Sequence, residues 1–159
     1  MSEIKETEIF EVPYFYIGEY LYSYGEISKF FKEVKENRRL FATKCTRCGK
    51  VWMPPRKYCS DCYLPTEWVQ LSGRGTVVSC TYVCYAADPK SGLVAIADIP
   101  HVLALIKLDG ADTLLMHVVV AKERSLGTVK TGTRVKVAWT KKREGKVTDF
   151  YFVPEEPER

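Results

Sequence analysis

Cys45-Thr46-Arg47-Cys48-Gly49-Lys50-Val51-Trp52-Met53-Pro54-Pro55-Arg56-Lys57-Tyr58-Cys59-Ser60-Asp61-Cys62 is the stretch on which the reading of this chain turns. It holds two Cys-x-x-Cys hooks, each placing two thiols close enough to grip one ion. The segment between them is short enough to fold back and bring the hooks together. Four thiolates in a tetrahedron suit Zn²⁺ and fill its coordination shell, leaving no position for water or substrate. Cys45, Cys48, Cys59 and Cys62 are therefore expected to brace a fold and to perform no chemistry. Iron is the alternative ion, since four thiolates suit it as well. For a small module such a site is itself a folding term, on the order of 10 kcal/mol in zinc-finger peptides.

Gly49 directly follows the first hook, where a tight turn favours a residue free to take positive φ. Pro54-Pro55 rule out a helix between the hooks. Residues 41–68 thus read as a zinc ribbon of short strands and two knuckles, with Phe41, Val51, Trp52 and Trp68 available as a small core. Downstream, residues 69–159 carry five β-rich runs: Gly75–Tyr85, Val102–Leu108, Thr113–Val120, Arg134–Thr140 and Val147–Val153. Turn signals separate them at Asp88-Pro89 with Ser91-Gly92, at Asp109-Gly110, at Gly132 and at Glu144-Gly145. Five strands match an OB-fold barrel, in which the longer connection after the third strand, here from Ala121 to Thr133, often carries a helix.

Upstream, residues 1–40 divide in two. Over 26–38, Ile27, Phe30, Phe31 and Val34 recur at helical spacing while Lys29, Lys32, Glu33, Lys35 and Glu36 turn away, which predicts an amphipathic helix. Before it lies an arm dense in aromatics. Its Tyr20, Tyr22 and Tyr24 alternate as in a strand, yet Ile17, Tyr20, Leu21 and Tyr24 share one helical face. Nine aromatics fall between Phe10 and Phe31, and such side chains are favoured at interfaces as well as in a chain's own core.

The whole chain has 159 residues, 46% of them apolar and 28% charged with both signs mixed, enough to build a core and against wholesale disorder. A net charge of +4 is compatible with a phosphate-bearing ligand but too weak to argue for nucleic acid by itself. The first residues lack the basic and apolar regions of a secretory signal, and no stretch approaches a membrane span. The expectation is a soluble cytoplasmic protein, in which paired hooks favour metal over disulfides. Asn37 and Gln70 are the only residues of their kinds beside abundant Lys and Glu, a composition that hints at a thermophilic source.

Catalytic signatures are missing. There is no Gly-x-Ser-x-Gly elbow and no phosphate-binding Gly-Lys-Ser/Thr loop. Cys80 and Cys84 look like a further pair, but four residues on a strand span about 13 Å. They are expected to be small buried residues, facing the same side as Val78 and Tyr82. Of the two histidines, His101 and His117, the second sits in an apolar run and is expected to be a hydrogen-bonded part of the barrel wall.

The ordered set of motifs resembles the acyl-CoA-associated zinc-ribbon/OB-fold family, whose members are often described as nucleic-acid-binding-like proteins of unknown function. The residues that carry the resemblance begin with Leu40-Phe41-Ala42-Thr43-Lys44-Cys45, Cys48-Gly49, Pro54-Pro55-Arg56 and Cys59-x-x-Cys62. They continue with Leu71-Ser72-Gly73-Arg74-Gly75-Thr76-Val77-Val78-Ser79, Leu103–Leu108 and Val129-Lys130-Thr131-Gly132-Thr133-Arg134-Val135. Tyr63 departs from the pattern, where many such knuckles have Gly, and predicts a less regular second turn.

The resemblance implies a mainly β chain, with N-terminal helix or helices, a rubredoxin-like zinc ribbon and a five-stranded OB-fold barrel. It implies a non-catalytic accessory subunit that binds acyl-CoA or its pantetheine arm and serves thiolase-type enzymes such as acetyl-CoA acetyltransferase. Archaeal relatives bridge such a thiolase to hydroxymethylglutaryl-CoA (HMG-CoA) synthase. Arg56, Arg74, Lys141, Lys142 and Arg143 would then be candidate contacts for the CoA phosphates. Two alternatives stand beside this: a single-stranded nucleic-acid binder, and a small enzyme acting on a thioester. Against the first, OB binders stack bases on aromatics of the second and third strands, and no Phe, Tyr or Trp lies between Ala86 and Ala138.

Overall fold

Phe30, Phe31 and Val34 do lie on one face of a helix, which is shorter than the expected 26–38 and leaves Ile27 in the 3-10 turn before it. The computed structural model describes residues 23–88, 92–95, 101–121 and 127–155, with the backbone alone for Tyr85–Asp88, Gly92–Ala95 and His101. Helix α1, Ser28–Asn37, follows a 3-10 turn at Gly25–Ile27. It buries Phe30 and Val34, with Ile27 and Phe31 half-buried at their sides. The helix stops where Arg38 turns left-handed (φ 54°) and the Arg39 N–H closes on Glu33 O at 3.3 Å. The arm over residues 1–22, with its ambiguous tyrosines, lies outside the described residues.

After α1 comes a three-stranded antiparallel sheet. β1 (Leu40–Cys45) is its centre, flanked by β2 (Val51–Trp52) and β3 (Thr66–Leu71). β3 then feeds β4 (Arg74–Val83), the first strand of a closed barrel completed by β7 (His101–Leu108), β8 (Leu114–Val119), β9 (Arg134–Trp139) and β10 (Phe150–Pro154). Round the barrel the order is β10-β8-β7-β4-β9. β8 and β10 run parallel and every other pair antiparallel. This is the five-stranded OB fold. Between β4 and β7, β5 (Tyr85–Asp88) and β6 (Gly92–Ala95) form an antiparallel two-stranded sheet that, among the described residues, pairs with no other strand.

Alternation fills the barrel. Val102, Ala104, Ile106 and Leu108 of β7, Leu115 and Val119 of β8, Val135 of β9 and Phe152 of β10 are all buried. α1 caps this core, with Phe30 set edge-on to Phe150 (centroids 6.2 Å apart). The cap is fastened at its far end, where Arg143 donates from Nε to Lys35 O (3.0 Å) and from Nη1 to Thr140 O (3.0 Å). Asp149, also buried, accepts on Oδ2 from the Glu144, Gly145 and Lys146 N–H groups at 2.8, 2.6 and 3.0 Å, which shapes the turn before β10. The Tyr82 hydroxyl accepts from the Gly127 and Val129 N–H groups and donates to Val129 O, pinning the segment before β9.

Two junctions make the sheet and the barrel continuous. At Gly73 (φ +77°) an added Cβ would lie 2.4 Å from Val137 Cγ1, and at Gly75 it would lie 2.6 Å from Lys107 O. Only glycine lets the chain pass so close to its neighbours here. The second junction is a hydrogen-bonded clamp on β2. Val51 N–H donates to Asp112 Oδ2 (2.7 Å), Asp112 N–H donates to Val51 O (2.8 Å), and the Thr113 hydroxyl bonds both Met53 N–H and Met53 O at 2.7 Å.

Several expectations need correction. The first barrel strand ends at Val83; Asp88 and Gly92 of the expected turn signals end β5 and begin β6, and residues 89–91 lie outside the described residues. Val78 does not face with Cys80 and Tyr82. A register shift between Val77 and Ser79 reverses the phase, so Val78 points out while Cys80 and Tyr82 pack on the core. Val147–Asp149 is a 3-10 turn, and β10 starts only at Phe150. Of the helix expected between Ala121 and Thr133, residues 122–126 lie outside the described residues, and residues 127–133 are turns and loop. The ribbon's small core is Trp52 with Cys45 and Cys59; Val51 and Trp68 pack on the main core, and Phe41 is half-buried against Trp68.

His117 is the hydrogen-bonded wall residue the sequence predicts. Its ring stacks on Phe150 (4.3 Å), its Nδ1 accepts from Val118 N–H (2.9 Å), and its Nε2 then donates to Val147 O (3.0 Å). Burial pushes its pKa below 6.5, outweighing the carbonyl of Val147, which pulls the other way. The unfolded chain therefore takes up this proton first as pH falls. The contribution is complete above pH 6.5 and is lost as the pH drops below it. His117→Gln should flatten the stability profile between pH 7 and 5 in denaturant titrations; an unchanged slope would place the pH dependence elsewhere. Gly75→Ala should lower stability by about 1–3 kcal/mol through overpacking against a backbone carbonyl. Its denaturation midpoint tests this, and a wild-type midpoint would mean that β4 and β7 are not so closely apposed.

Candidate metal centre and its surroundings

Each hook forms a knuckle through the same two backbone bonds. In the first, Gly49 N–H donates to Cys45 O (3.1 Å) and Cys45 N–H to Lys50 O (2.9 Å). In the second, Tyr63 N–H donates to Cys59 O (2.9 Å) and Cys59 N–H to Leu64 O (2.9 Å). Gly49 takes φ +74° and Tyr63 φ 57°. The second turn is thus as regular as the first, contrary to expectation. Tyr63 accepts the left-handed conformation with its ring almost fully in solvent. Isolated non-glycine residues do visit this region, at some cost.

The knuckles bring all four Sγ atoms within 4.8 Å of one another. Cys48 Sγ and Cys59 Sγ are 3.8 Å apart. Four sulfurs about 2.3 Å from one ion lie at the corners of a tetrahedron with edges of about 3.8 Å, so the donor set and its spacing fit such an ion. Cys45 Sγ also accepts from the Arg47 and Cys48 N–H groups at 3.4 and 3.5 Å. Without a cation the thiols are electrostatically at odds. The Cys48 N–H helps to draw Cys45 down to about 6, while the hydrogen bond that the Cys62 thiol donates to Cys48, together with burial, pushes Cys62 up to about 12. A divalent ion removes the conflict by taking all four as thiolates.

Cations gather round this cage. Lys50 Nζ bridges to Asp61 Oδ2 of the other knuckle at 2.8 Å, which raises its pKa, and lies 4.4 Å from the Trp52 ring centroid. The Arg56 guanidinium lies 4.8 Å from the same ring and donates to Ser60 Oγ (2.6 Å). Trp52 packs on Cys45 and Cys59 and so carries both cations beside the sulfurs.

The five basic residues proposed as phosphate contacts fall in three places. Arg56 belongs to the metal module. Arg74 stands where β3 passes into the barrel, with Nε 3.1 Å from Glu155, which Arg134 also approaches while forming a two-pronged pair with Asp109 (2.9 and 2.7 Å). Lys141, Lys142 and Arg143 occupy the β9–β10 connection. There Lys142 pairs with Glu144 (2.7 Å), Arg143 fastens α1, and Lys141 has no ion-pair partner among the described residues. No hydrogen bond or ion pair among the described residues joins the three groups. Sequence reading missed the Asp112–Thr113 clamp and the Lys50–Asp61 bridge. Their partners lie 60 or 61 and 11 positions away, and only the folded chain pairs them.

A four-cysteine cluster in a ribbon joined to an OB barrel defines the class, and comparison with known proteins agrees. The ChsH2 rubredoxin-like zinc ribbon domain matches residues 33–64, and the ChsH2 C-terminal OB-fold domain matches residues 68–140. The chain belongs to this family, with a ChsH2-type zinc ribbon followed by its OB-fold domain. A DUF35 domain-containing scaffold protein of Methanothermobacter thermautotrophicus is 23% identical over 121 residues, 75% of this chain and 85% of the relative. A DUF35-family protein of unknown function from Sulfolobus solfataricus has a similar solved structure (TM-score 0.59, 22% identity, 82% of this chain and 87% of that one). So has the Ltp2-ChsH2(DUF35) aldolase (TM-score 0.57, 24% identity, 80% and 93%). At these identities the likeness of the structures is one of fold. Among the described residues, no helix is long and apolar enough to cross a membrane.

Cys45→Ser should release the ion and loosen the ribbon while the barrel stays partly folded. Elemental analysis should find the metal gone, and hydrogen exchange should show β1 unprotected with β7 and β8 still protected. Wild-type metal content in this variant would contradict the assignment of the four ligands.

Proposed function

We propose that this protein is a non-catalytic scaffold subunit of an acyl-CoA enzyme of the thiolase type, bridging to an enzyme such as HMG-CoA synthase and contributing part of an acyl-CoA site. The observation that carries the reading is the cage: its four sulfurs fit a structural zinc ion and leave it no open position. Zinc is preferred to iron because the module has the features of a zinc ribbon. Two other reactive side chains have structural duties. His117 is neutral and bonded at both ring nitrogens, and Cys80 packs on the core with Sγ toward Val129 O. The scaffold description of the archaeal relative supports the same reading. Arg56, Arg74, Lys141, Lys142 and Arg143 are its candidate CoA contacts, and Lys141 has no ion-pair partner among the described residues.

Co-purification from the native organism tests the proposal. An acyl-CoA enzyme, identified by mass spectrometry, should accompany the protein at fixed stoichiometry, and the protein alone should not turn over acyl-CoA. Recovery without any acyl-CoA enzyme, alongside tight and salt-sensitive binding to single-stranded RNA or DNA, would transfer the function to nucleic acid. Turnover by the purified chain above contaminant level would make it an enzyme.

A further inference from the structure

The outer faces of the barrel strands differ sharply. On β9 the outward residues Arg134 and Lys136 are charged and exposed. On β4, Arg74, Thr76, Ser79 and Thr81 present a polar surface. On β7 and β8 the alternation of apolar and polar residues vanishes. Leu103, Leu105 and Lys107 point out from β7, opposite Val118, Met116 and Leu114 of β8 in the antiparallel register. Leu105 and Leu114 are each 38% exposed and Met116 is 62% exposed, with Val78 at the β4 bulge and Val120 beyond the end of β8 also in solvent. An antiparallel strand with one wet face normally alternates, and strands apolar throughout are those covered on both faces. Inside the barrel these two strands are covered. Outside, within the described chain, they are not.

We infer that the outer face of β7–β8 is the surface on which the partner enzyme seats, through an uncharged aliphatic patch of its own. The inference rests on the scaffold reading above and says where that contact lies. Its chemistry narrows the occupant. Lys107 is the one charge among the six outward residues of the two strands, so neither a polyanion nor a charged protein surface finds complementary groups there. It has no ring on which a base stacks. It lies on the convex outside of a barrel, whereas small ligands are held in concave sites. A flat, apolar, unpaired surface bordered by the hydroxyls of Thr76, Ser79 and Thr81 has the composition of an interface core with a polar rim.

The test uses the full chain and the acyl-CoA enzyme that co-purifies with it. Hydroxyl-radical footprinting should oxidise Met116 readily in the free protein and protect it in the complex. Leu105→Thr/Met116→Thr puts strand-favouring β-branched residues in their place, and Leu105→Ser/Met116→Glu adds a charge. Both should hold their metal and fold while losing affinity for the enzyme by about tenfold or more, whereas Lys136→Glu on β9 should bind as wild type. If the enzyme is retained equally by wild type and both variants, with Met116 unprotected, the face is wrong and the scaffold reading stands. If no acyl-CoA enzyme is retained at all, both fall. A dimer in sedimentation that the variants abolish would assign the face to a second copy. Protection of Met116 in the free chain that disappears on removal of residues 1–22 would assign it to the chain's own arm. Either result overturns the inference.

Discussion

Four cysteine sulfurs held within 4.8 Å of one another are tolerable as thiolates only around a cation, and the rest of the molecule follows from satisfying that demand. The hooks end β1 and begin the segment before β3, so an ion gripped by both fixes the two strands at their shared end, where Cys45 pairs with Thr66. β1 and β3 then run together for six residues to Leu40 and Leu71, and β3 enters the barrel through Gly73. The metal thus lies at one end of a continuous ribbon of backbone whose other end is barrel wall.

That ribbon would pivot at its glycines if it were the only connection. The Asp112 and Thr113 clamp prevents this by bonding β2 to the hairpin between β7 and β8, and α1 packs on β1 while capping the barrel through Phe30 and Phe150. A sheet tied to a barrel along three separate lines has little freedom to rock. On the scaffold reading proposed above, such a body would suit holding a partner at a fixed position, since rigid elements transmit position where flexible linkers lose it.

Much of this was legible in the sequence because local chemistry and tertiary outcome coincide. The hooks need only their own spacing to announce a metal; Ile27, Phe30, Phe31 and Val34 need only a helical period; β7 to β9 need only their turns. What escaped depended on partners far along the chain or on a slip of one residue. The β4 bulge moved Val78 from the inner to the outer face, and nothing in Val77-Val78-Ser79 signals it. Trp52 was legible as a core residue, but not that it would carry Lys50 and Arg56 beside the sulfurs. Tyr63 was read as a disturbance because the side chain that left-handed backbone disfavours is large, yet a ring directed into solvent meets nothing.

The distribution of cations bears on how a CoA site would be assembled on the scaffold reading. A divalent ion with four thiolates carries a net charge of −2, and Lys50 and Arg56 stand against it. Arg74 and Arg134 are engaged with Glu155 and Asp109, and Lys142 with Glu144. Of these cations, Arg134 on Asp109 and Lys142 on Glu144 stand in exposed pairs that contribute little to stability and exchange readily for a phosphate when one is offered, whereas Arg74 is held by a Glu155 that is only 19% exposed. Yet they sit on three separate elements, and a phosphate group is held well only where several donors converge. On the scaffold reading, the missing convergence comes from the partner, whose own donors would close on the ligand beside Arg56, Arg74 or Lys141. A site divided in this way forms only when the two proteins are together, so the CoA affinity of this chain alone would be weak even though its basic residues are required.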